Sequence, residues 1–178
     1  MTKWFVYVLG LALLVIVTGA LLWAGHGDVH EVRMYNVHPE DPTRRNVFVP
    51  DFLVIEPGDR VRFVNVDGGH NSESIDNMYP GASEGTMMEP AETERWSGRI
   101  SQSFEVRLSD IGIFGYKDAQ YYMSSGMAGM IVVLDDGQWD PAIDEEIAYI
   151  EEYVTQKGKA IETFERLWAQ VGALKAGD

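Results

Sequence analysis

The stretch PGDRVRFVNVDGGHNSESI, residues 57–75, decides the fold of this chain. Residues 57–59, Pro-Gly-Asp, have the composition of a tight turn. The residues that follow alternate between charged and apolar, so that Val61 and Phe63 share one face of a predicted half-buried strand. The strand runs into a polar, glycine-containing loop that carries one histidine, His70. The stretch therefore predicts a turn, a strand and a histidine held at the strand's end.

Short strand patterns recur on both sides of this stretch. Two of them alternate between polar and apolar residues, and a third, later in the chain, is a continuous apolar run typical of a central strand. No helical pattern lies between them, which favours a mainly β fold, a Greek-key β-sandwich. The predicted strands lie in EVRMYNV (31–37), FVPDFLVI (48–55), SFEVRLS (103–109) and GMIVVLDD (129–136).

The chain changes character after residue 137. Asp140 and Pro141 suit a helix N-cap and the first helical position. Two apolar stripes at helical spacing follow, separated by Lys157-Gly158, and they predict two C-terminal α-helices that pack on the sandwich, on each other or on a neighbour. The stripes consist of Ile143, Ile147, Ile150 and Val154, and of Ile161, Phe164, Trp168 and Val171.

The N-terminal stretch WFVYVLGLALLVIVTGALLWAG, residues 4–25, is uncharged throughout. As a helix it would be roughly 33 Å long, enough to cross a bilayer. We predict an uncleaved transmembrane helix here, the alternative being a cleaved secretory signal. Lys3 precedes the stretch and Asp28 follows it, so the positive-inside rule puts the N-terminus in the cytoplasm and the rest outside.

The predicted division of the chain has three parts. A transmembrane anchor covers residues 1–27, the sandwich covers 28–137, and the helical pair covers 138–178. Within the sandwich, residues 76–101 have two prolines and no convincing period, and they are predicted to form a long insert. The insert is either partner-facing or simply solvated.

Charge and cysteine content exclude several classes of protein. The 178 residues carry 28 acidic and 14 basic side chains, a net charge of −14, and no cysteine. Such an acidic chain does not suit nucleic acid and favours a basic protein partner. The absence of cysteine excludes disulfides, cysteine-ligated zinc, iron–sulfur clusters and blue copper.

Two stretches together resemble the cupredoxin family, most closely the pseudoazurins and plastocyanin-like blue copper proteins. Residues 57–75 are similar to the family pattern P-G-D-x-V-x-F-x-N-x-D-x-x-H-N-x-E-S-I. GIFGYKDAQYYMSSGMAGMIVV, residues 112–133, is similar to G-x-Y-x-x-K-C-T-P-H-Y-x-M-G-M-x-G-x-V-x-V. The resemblance covers about residues 30–175, weakly across the insert, and it implies that His70 stands at the position of the family's first copper ligand.

The second stretch departs from the family at the ligand positions. Counted forward from the lysine, the family's cysteine falls on Asp118 and its histidine on Tyr121. Counted back from the Gly-Met pair, they fall on Ala119 and Tyr122. Met127 keeps the axial methionine position. Blue copper needs two histidines, a cysteine and a weak axial sulfur, and this set lacks the thiolate under either alignment.

We therefore predict no metal site, only vestigial copper-site positions at His70, Asp118, Tyr121, Tyr122 and Met127. A mixed site of His70, Asp118 and Met127 would combine a ligand for hard cations with one for Cu(I), a poor match. No catalytic motif is present either, so no catalytic residue, cofactor-binding residue or cofactor is predicted, and the protein is predicted not to be an enzyme.

The predicted function is that of a copper-free cupredoxin-like accessory subunit of a bacterial membrane electron-transfer complex, first of all a photosynthetic reaction-centre assembly. Its predicted partners are the bilayer, through residues 4–25, other subunits of the complex, and a basic c-type cytochrome. The predicted location is the bacterial inner membrane, with the sandwich in the periplasm. The alternatives are a membrane-anchored carrier or copper-handling protein with a non-blue copper site at His70, and a metallochaperone that uses Met87, Met88 and Met123.

Overall fold

Two four-stranded sheets and a C-terminal helical pair make up the fold, in a computed structural model that describes residues 27–75, 78, 95–153 and 156–177. The strands are β1 (Val29–Val37), β2 (Arg45–Val49), β3 (Phe52–Ile55), β4 (Arg60–Asn65), β5 (Glu73–Ser74), β6 (Phe104–Arg107), β7 (Gly112–Lys117) and β8 (Ala128–Val133). The α-helices of the described ranges are α1 (Tyr122–Ser125), α2 (Ala142–Tyr153) and α3 (Ala160–Ala176), and a 3₁₀ turn covers Asp135–Gly137.

The strand order is β2-β1-β4-β6 in the first sheet and β3-β8-β7-β5 in the second. Strands β1 and β4 are parallel, as are β3 and β8, and the other neighbours are antiparallel. The predicted strand, turn and strand around the Pro-Gly-Asp sequence are present as β3, a turn and β4. The turn does not close a hairpin, because the two strands belong to different sheets. The mainly β, two-sheet fold with C-terminal helices is confirmed.

An aromatic cluster fills the space between the two sheets. The ring of Tyr116 lies edge-on to Phe48 and Phe63, with centroids 4.9 and 5.2 Å away. Phe63 also packs at 5.8 Å from Trp96. Phe63 is fully buried and Arg62 beside it is exposed, as the alternation predicted. Edge-to-face rings at these distances add to the stabilisation by burial.

Strand β8 is buried on both faces. Ile131 and Val133 belong to the core between the sheets, whereas Met130 and Val132 belong to a second core beneath the C-terminal helices. All six residues of the strand are buried. A strand between two apolar layers needs apolar residues at every position, which explains the continuous apolar run in the sequence.

The prediction of which residues form the buried face of α3 is partly wrong. Phe164 and Val171 are buried, but Ile161 is 45% exposed and Leu167 is fully buried. The buried face starts at Ala160, and positions three or four residues apart continue it. Ile161 is one residue further round the helix, about 100° away from that face.

The first predicted helix begins as expected. The amide of Ala142 donates to Asp140 Oδ1 at 2.8 Å, so Asp140 caps α2. Ile143 and Ile150 are buried in the second core, and Ile147 packs against it. Val154, the last residue of the predicted stripe, lies outside the described residues.

Much of the predicted insert and all of the predicted anchor, residues 4–25, lie outside the described residues. No helix within the described ranges is long and apolar enough to cross a membrane. Two residues of the predicted insert are buried, Met78 and Trp96. Residues 95–101 run beside β5, where Ser97 pairs with Glu73, so this end of the insert is part of the folded domain.

Gly129 tests the packing of the aromatic cluster. A Cβ atom at this position would lie 2.2 Å from Cζ of Tyr116, which is itself fully buried. We expect Gly129→Ala to lower the free energy of unfolding by about 1–3 kcal/mol, because the core is already filled. Urea unfolding of the purified chain measures the change.

The matched control is Gly172→Ala. Gly172 lies on the exposed side of α3 with no atom near its virtual Cβ. The same substitution should there raise the free energy of unfolding by about 1 kcal/mol, because alanine favours the helix. Equal urea midpoints for wild type and Gly129→Ala would contradict the packing argument.

Candidate functional site

His70 and Asp118 meet at one end of the sandwich, 48 residues apart in the chain. His70 lies in the loop after β4, and Asp118 directly follows β7. Nδ1 of the histidine donates to Oδ2 of the aspartate at 3.1 Å. Both side chains are buried, with 0% and 1% of their surface exposed. A charged pair removed this completely from water needs further hydrogen bonds around it.

Asp118 receives those bonds from the backbone. Oδ2 also accepts from the amide of Asn71 at 3.1 Å. Oδ1 accepts from the amides of Gln120 at 2.8 Å and Tyr121 at 3.0 Å. The carboxylate has about four acceptor positions, and all of them are used.

The hydrogen bonds decide the charge state of Asp118. Burial by itself raises the pKa of this carboxyl, but the bonds from His70 and from three backbone amides outweigh burial and bring the pKa below its usual value. The carboxylate is therefore ionised at neutral pH. An ionised carboxylate only accepts hydrogen bonds, so Nδ1 of His70 carries a proton.

The second ring nitrogen of His70 also contacts an oxygen. Nε2 lies 3.0 Å from Oδ1 of Asn36, at the end of β1. Both ring nitrogens of His70 therefore lie within hydrogen-bond distance of a side chain of the protein. The ring of Tyr121 packs edge-on against the His70 ring, with centroids 5.2 Å apart. His70 and Asp118 therefore form a closed, buried pair in which each ring nitrogen of His70 contacts a side chain.

Asn71 ties the same loops together. Its Oδ1 accepts from the amide of Ala119 at 3.0 Å, and its Nδ2 donates to the carbonyl of Gly98 at 3.2 Å. Asn71 and Asn36 were not predicted as site residues. Asn71 is adjacent to His70 within residues 57–75, so the sequence could have indicated it as a site residue. Nothing in the sequence connects Asn36 with His70.

The structure separates the two candidate tyrosines. Tyr121 lies against His70, whereas the hydroxyl of Tyr122 donates to Gln156, and Lys117 lies over its ring at 5.6 Å. Met127 is buried in the core between the sheets, and its carbonyl accepts from the amide of Asp118 at 3.0 Å. His70, Asp118 and Tyr121 are thus brought together, as in the forward alignment, and Tyr122 is turned away.

These residues do not fit a blue copper centre. The chain has no cysteine, so the thiolate ligand does not exist. The four acceptor positions of Asp118 already receive hydrogen bonds, and both ring nitrogens of His70 contact side chains of the protein. No group of three or more His, Asp or Glu residues in the described ranges is arranged to hold a metal ion.

The site also lacks the parts of a hydrolase. A catalytic triad places a hydroxyl on the histidine nitrogen that does not contact the aspartate. Here that nitrogen contacts the amide oxygen of Asn36. In the described residues around His70, the second ring nitrogen thus contacts an amide side chain where a catalytic triad has its nucleophile.

Removing the carboxylate tests the ion pair. We expect Asp118→Asn to lower the free energy of unfolding by about 3–5 kcal/mol, because it breaks a fully buried pair and weakens the acceptor of four buried hydrogen bonds. The chain supplies its own control in the His30–Asp59 pair, 2.8 Å apart but 31% and 11% exposed. Asp59→Asn should lower it by only about 1–2 kcal/mol, since the His30 side chain is partly exposed and water can replace the carboxylate as its partner. Urea unfolding measures both, and equal losses would contradict the special role of the buried pair.

Acid should weaken the same interaction. The pKa of Asp118 is lower in the folded chain than the usual 3.8. The ionised carboxylate therefore stabilises the fold fully at a pH above the pKa of Asp118 in the unfolded chain. This stabilisation is lost as the pH falls through the lower pKa of Asp118 in the folded chain. The difference in unfolding free energy between wild type and Asp118→Asn should shrink as the pH falls below about 3.8. A difference that stays constant in urea unfolding from about pH 5 to about pH 2.5 would contradict this assignment.

Comparisons with known proteins agree with this fold. No family model matches the chain. The chain is 32% identical to the pseudoazurin of Paracoccus pantotrophus over 116 residues, 65% of this chain and 70% of that protein. It superposes on a solved pseudoazurin from Sinorhizobium meliloti with a TM-score of 0.61 and 30% identity, covering 81% of this chain and 96% of that one. For pseudoazurin from Methylobacterium extorquens AM1 the TM-score is 0.62, with 26% identity and coverage of 81% and 99%. The chain therefore belongs to the pseudoazurin family of cupredoxins.

Proposed function

We propose that this protein is a copper-free cupredoxin that acts as a non-catalytic accessory subunit of a bacterial membrane electron-transfer complex. The observation that carries the proposal is the saturated carboxylate of Asp118. The two oxygens of this carboxylate already accept hydrogen bonds from four donors, one of which is His70, so no acceptor position is left for a metal ion. The resemblance places the family's thiolate ligand at this same position. The fold of an electron carrier is kept without its redox centre.

The ion pair also performs the structural task of a metal ion at this place. A copper ion would tie the loop after β4 to the loop after β7. Here the salt bridge of His70 and Asp118 joins the same two loops, and its hydrogen bonds continue into α1 through Gln120 and Tyr121. A domain that is rigid without metal suits a subunit whose task is to bind and brace other proteins.

The proposed setting combines several features of the sequence. The apolar residues 4–25 are proposed to anchor the domain in the bacterial inner membrane, with the sandwich in the periplasm. The net charge of −14 suits the docking of a basic c-type cytochrome. A photosynthetic reaction-centre assembly is the first complex to examine and a quinol or cytochrome oxidoreductase the second. Within it the domain would brace extrinsic subunits or guide the cytochrome.

Two measurements on the natural protein test this function. Gentle detergent purification should recover the chain together with other membrane subunits. Metal analysis and an absorption spectrum of that material should assign no copper to this chain. Stoichiometric copper that disappears in His70→Ala would instead support a carrier or copper-handling protein with a non-blue site at His70.

Reintroducing the family's ligands tests the forward alignment. We expect Asp118→Cys/Tyr121→His to bind Cu(II) with an intense charge-transfer colour, because these positions adjoin His70 and the loop still carries Met127. The matched control, Ala119→Cys/Tyr122→His, introduces the same side chains one residue later, where the second position faces Gln156. It should remain colourless when titrated with Cu(II). Colour in the control alone would show that the backward alignment is correct.

A further inference from the structure

The outward-facing side of the first sheet carries a cluster of arginines. The cluster is called the arginine face and consists of Arg33, Arg45, Arg60, Arg62 and Arg107, on four different strands. In the register of the sheet, Arg60 lies directly opposite Arg107, and Arg62 lies between Glu31 and Glu105. Arg45 pairs with Val37, further along the outer side of β1.

Each of the two glutamates on this face is shared by two arginines. Glu105 contacts Arg60 and Arg62, both at 3.0 Å. Glu31 contacts Arg33 at 3.0 Å and Arg62 at 3.9 Å. Five arginines against two glutamates leave a surplus of three positive charges on the outward strand positions. This surplus lies on a chain whose net charge is −14.

Stability of the isolated domain does not account for the surplus. Exposed ion pairs contribute little to stability. Like charges directly opposite each other in a sheet, such as Arg60 and Arg107, are unfavourable. Arg45 forms no ion pair within the described ranges. Arg107 donates through Nε to the carbonyl of Gly58, which does not neutralise its charge. Carboxylates from outside the domain would relieve this repulsion by adding negative charge beside the arginines.

The shape of the face suits a protein surface. Four neighbouring strands at about 4.8 Å spacing present an area about 14 Å wide between the outer strands. Tyr35, half-buried, lies on the same side of β1 as Arg33. Arginine and tyrosine are enriched in protein interfaces, and the guanidinium fork binds carboxylates with two parallel hydrogen bonds.

We propose that the arginine face is a docking surface for an acidic protein, which it recognises through surface carboxylates. An anionic membrane is a poorer match, because it extends beyond the face and would meet the strongly acidic rest of the chain, whereas a protein can present its carboxylates to the face alone. This surface is separate from the His70–Asp118 site, so the proposal stands whether or not the protein binds copper.

A hexaglutamate peptide is the probe, titrated into the full chain in a neutral detergent at about 0.1 M salt. At that salt the Debye length is about 10 Å, so the acids elsewhere on the chain are largely screened from the face. Binding is followed by NMR at backbone amides and arginine Nε–H groups. Shifts should concentrate on β1, β4 and β6, including Arg60 and Arg107, and should weaken as salt increases.

Two triple variants, each of which removes three positive charges, test whether the peptide binds at the arginine face. Arg33→Gln/Arg60→Gln/Arg107→Gln keeps Arg62 between the two glutamates and removes the surplus. Arg99→Gln/Lys157→Gln/Lys159→Gln removes three exposed cations elsewhere. The first variant should weaken binding about fivefold to tenfold and the second less than about twofold, since exposed contacts are individually weak. Matching thermal unfolding of both variants verifies that the fold is intact.

Three results would overturn the proposal. The first is that wild type does not bind hexaglutamate at this salt concentration. The second is an equal loss in both triple variants, which would indicate a general charge effect. The third is that phosphatidylglycerol vesicles, and not the peptide, bind in a way that depends on the arginine face and exceeds binding to phosphatidylcholine vesicles, which would identify a lipid surface instead.

Discussion

The carboxylate of Asp118 is the constraint on which this end of the molecule depends. It holds His70 from one loop, accepts the amide of Asn71 next to it, and accepts two amides at the start of the short helix α1. One side chain therefore sets the relative positions of the strand that precedes His70, the strand that precedes Asp118, and α1. The loops at this end are buried and polar, and their backbone groups need partners that the two sheets do not provide.

A buried ion pair in this position gives specificity more than net stability. Taking His70 and Asp118 out of water is unfavourable, and their attraction together with the surrounding hydrogen bonds offsets that loss. The aromatic and aliphatic cores on both sides of the second sheet supply the driving force for folding. What the pair adds is a single arrangement of the loops, because any displacement leaves a charge without a partner.

The protein combines a pseudoazurin fold with an uneven distribution of charge. The chain as a whole is strongly acidic, whereas the outer side of the first sheet has a positive surplus. A chain with such an uneven charge distribution is suited to contact partners of different charge. The proposed role, in which contacts between proteins are the function, rests on this charge distribution and on the closed His70–Asp118 site.

The amino-acid sequence by itself determined the strands around residues 57–75, the two-sided apolar strand β8, the C-terminal helices and the loss of the thiolate, because each of these depends on local periodicity or on one residue type. The tertiary structure alone decided that Tyr121, and not Tyr122, adjoins His70, since a one-residue ambiguity in the loop is resolved only by the bonds of Asp118. The tertiary structure also shows that Asn36 contacts His70, that Ile161 is exposed to solvent, and that arginines from four strands lie on one face of a sheet. Most of these contacts join residues that are tens of positions apart in the chain. The order of the strands in the sheets brings them together, and local sequence patterns do not specify that order.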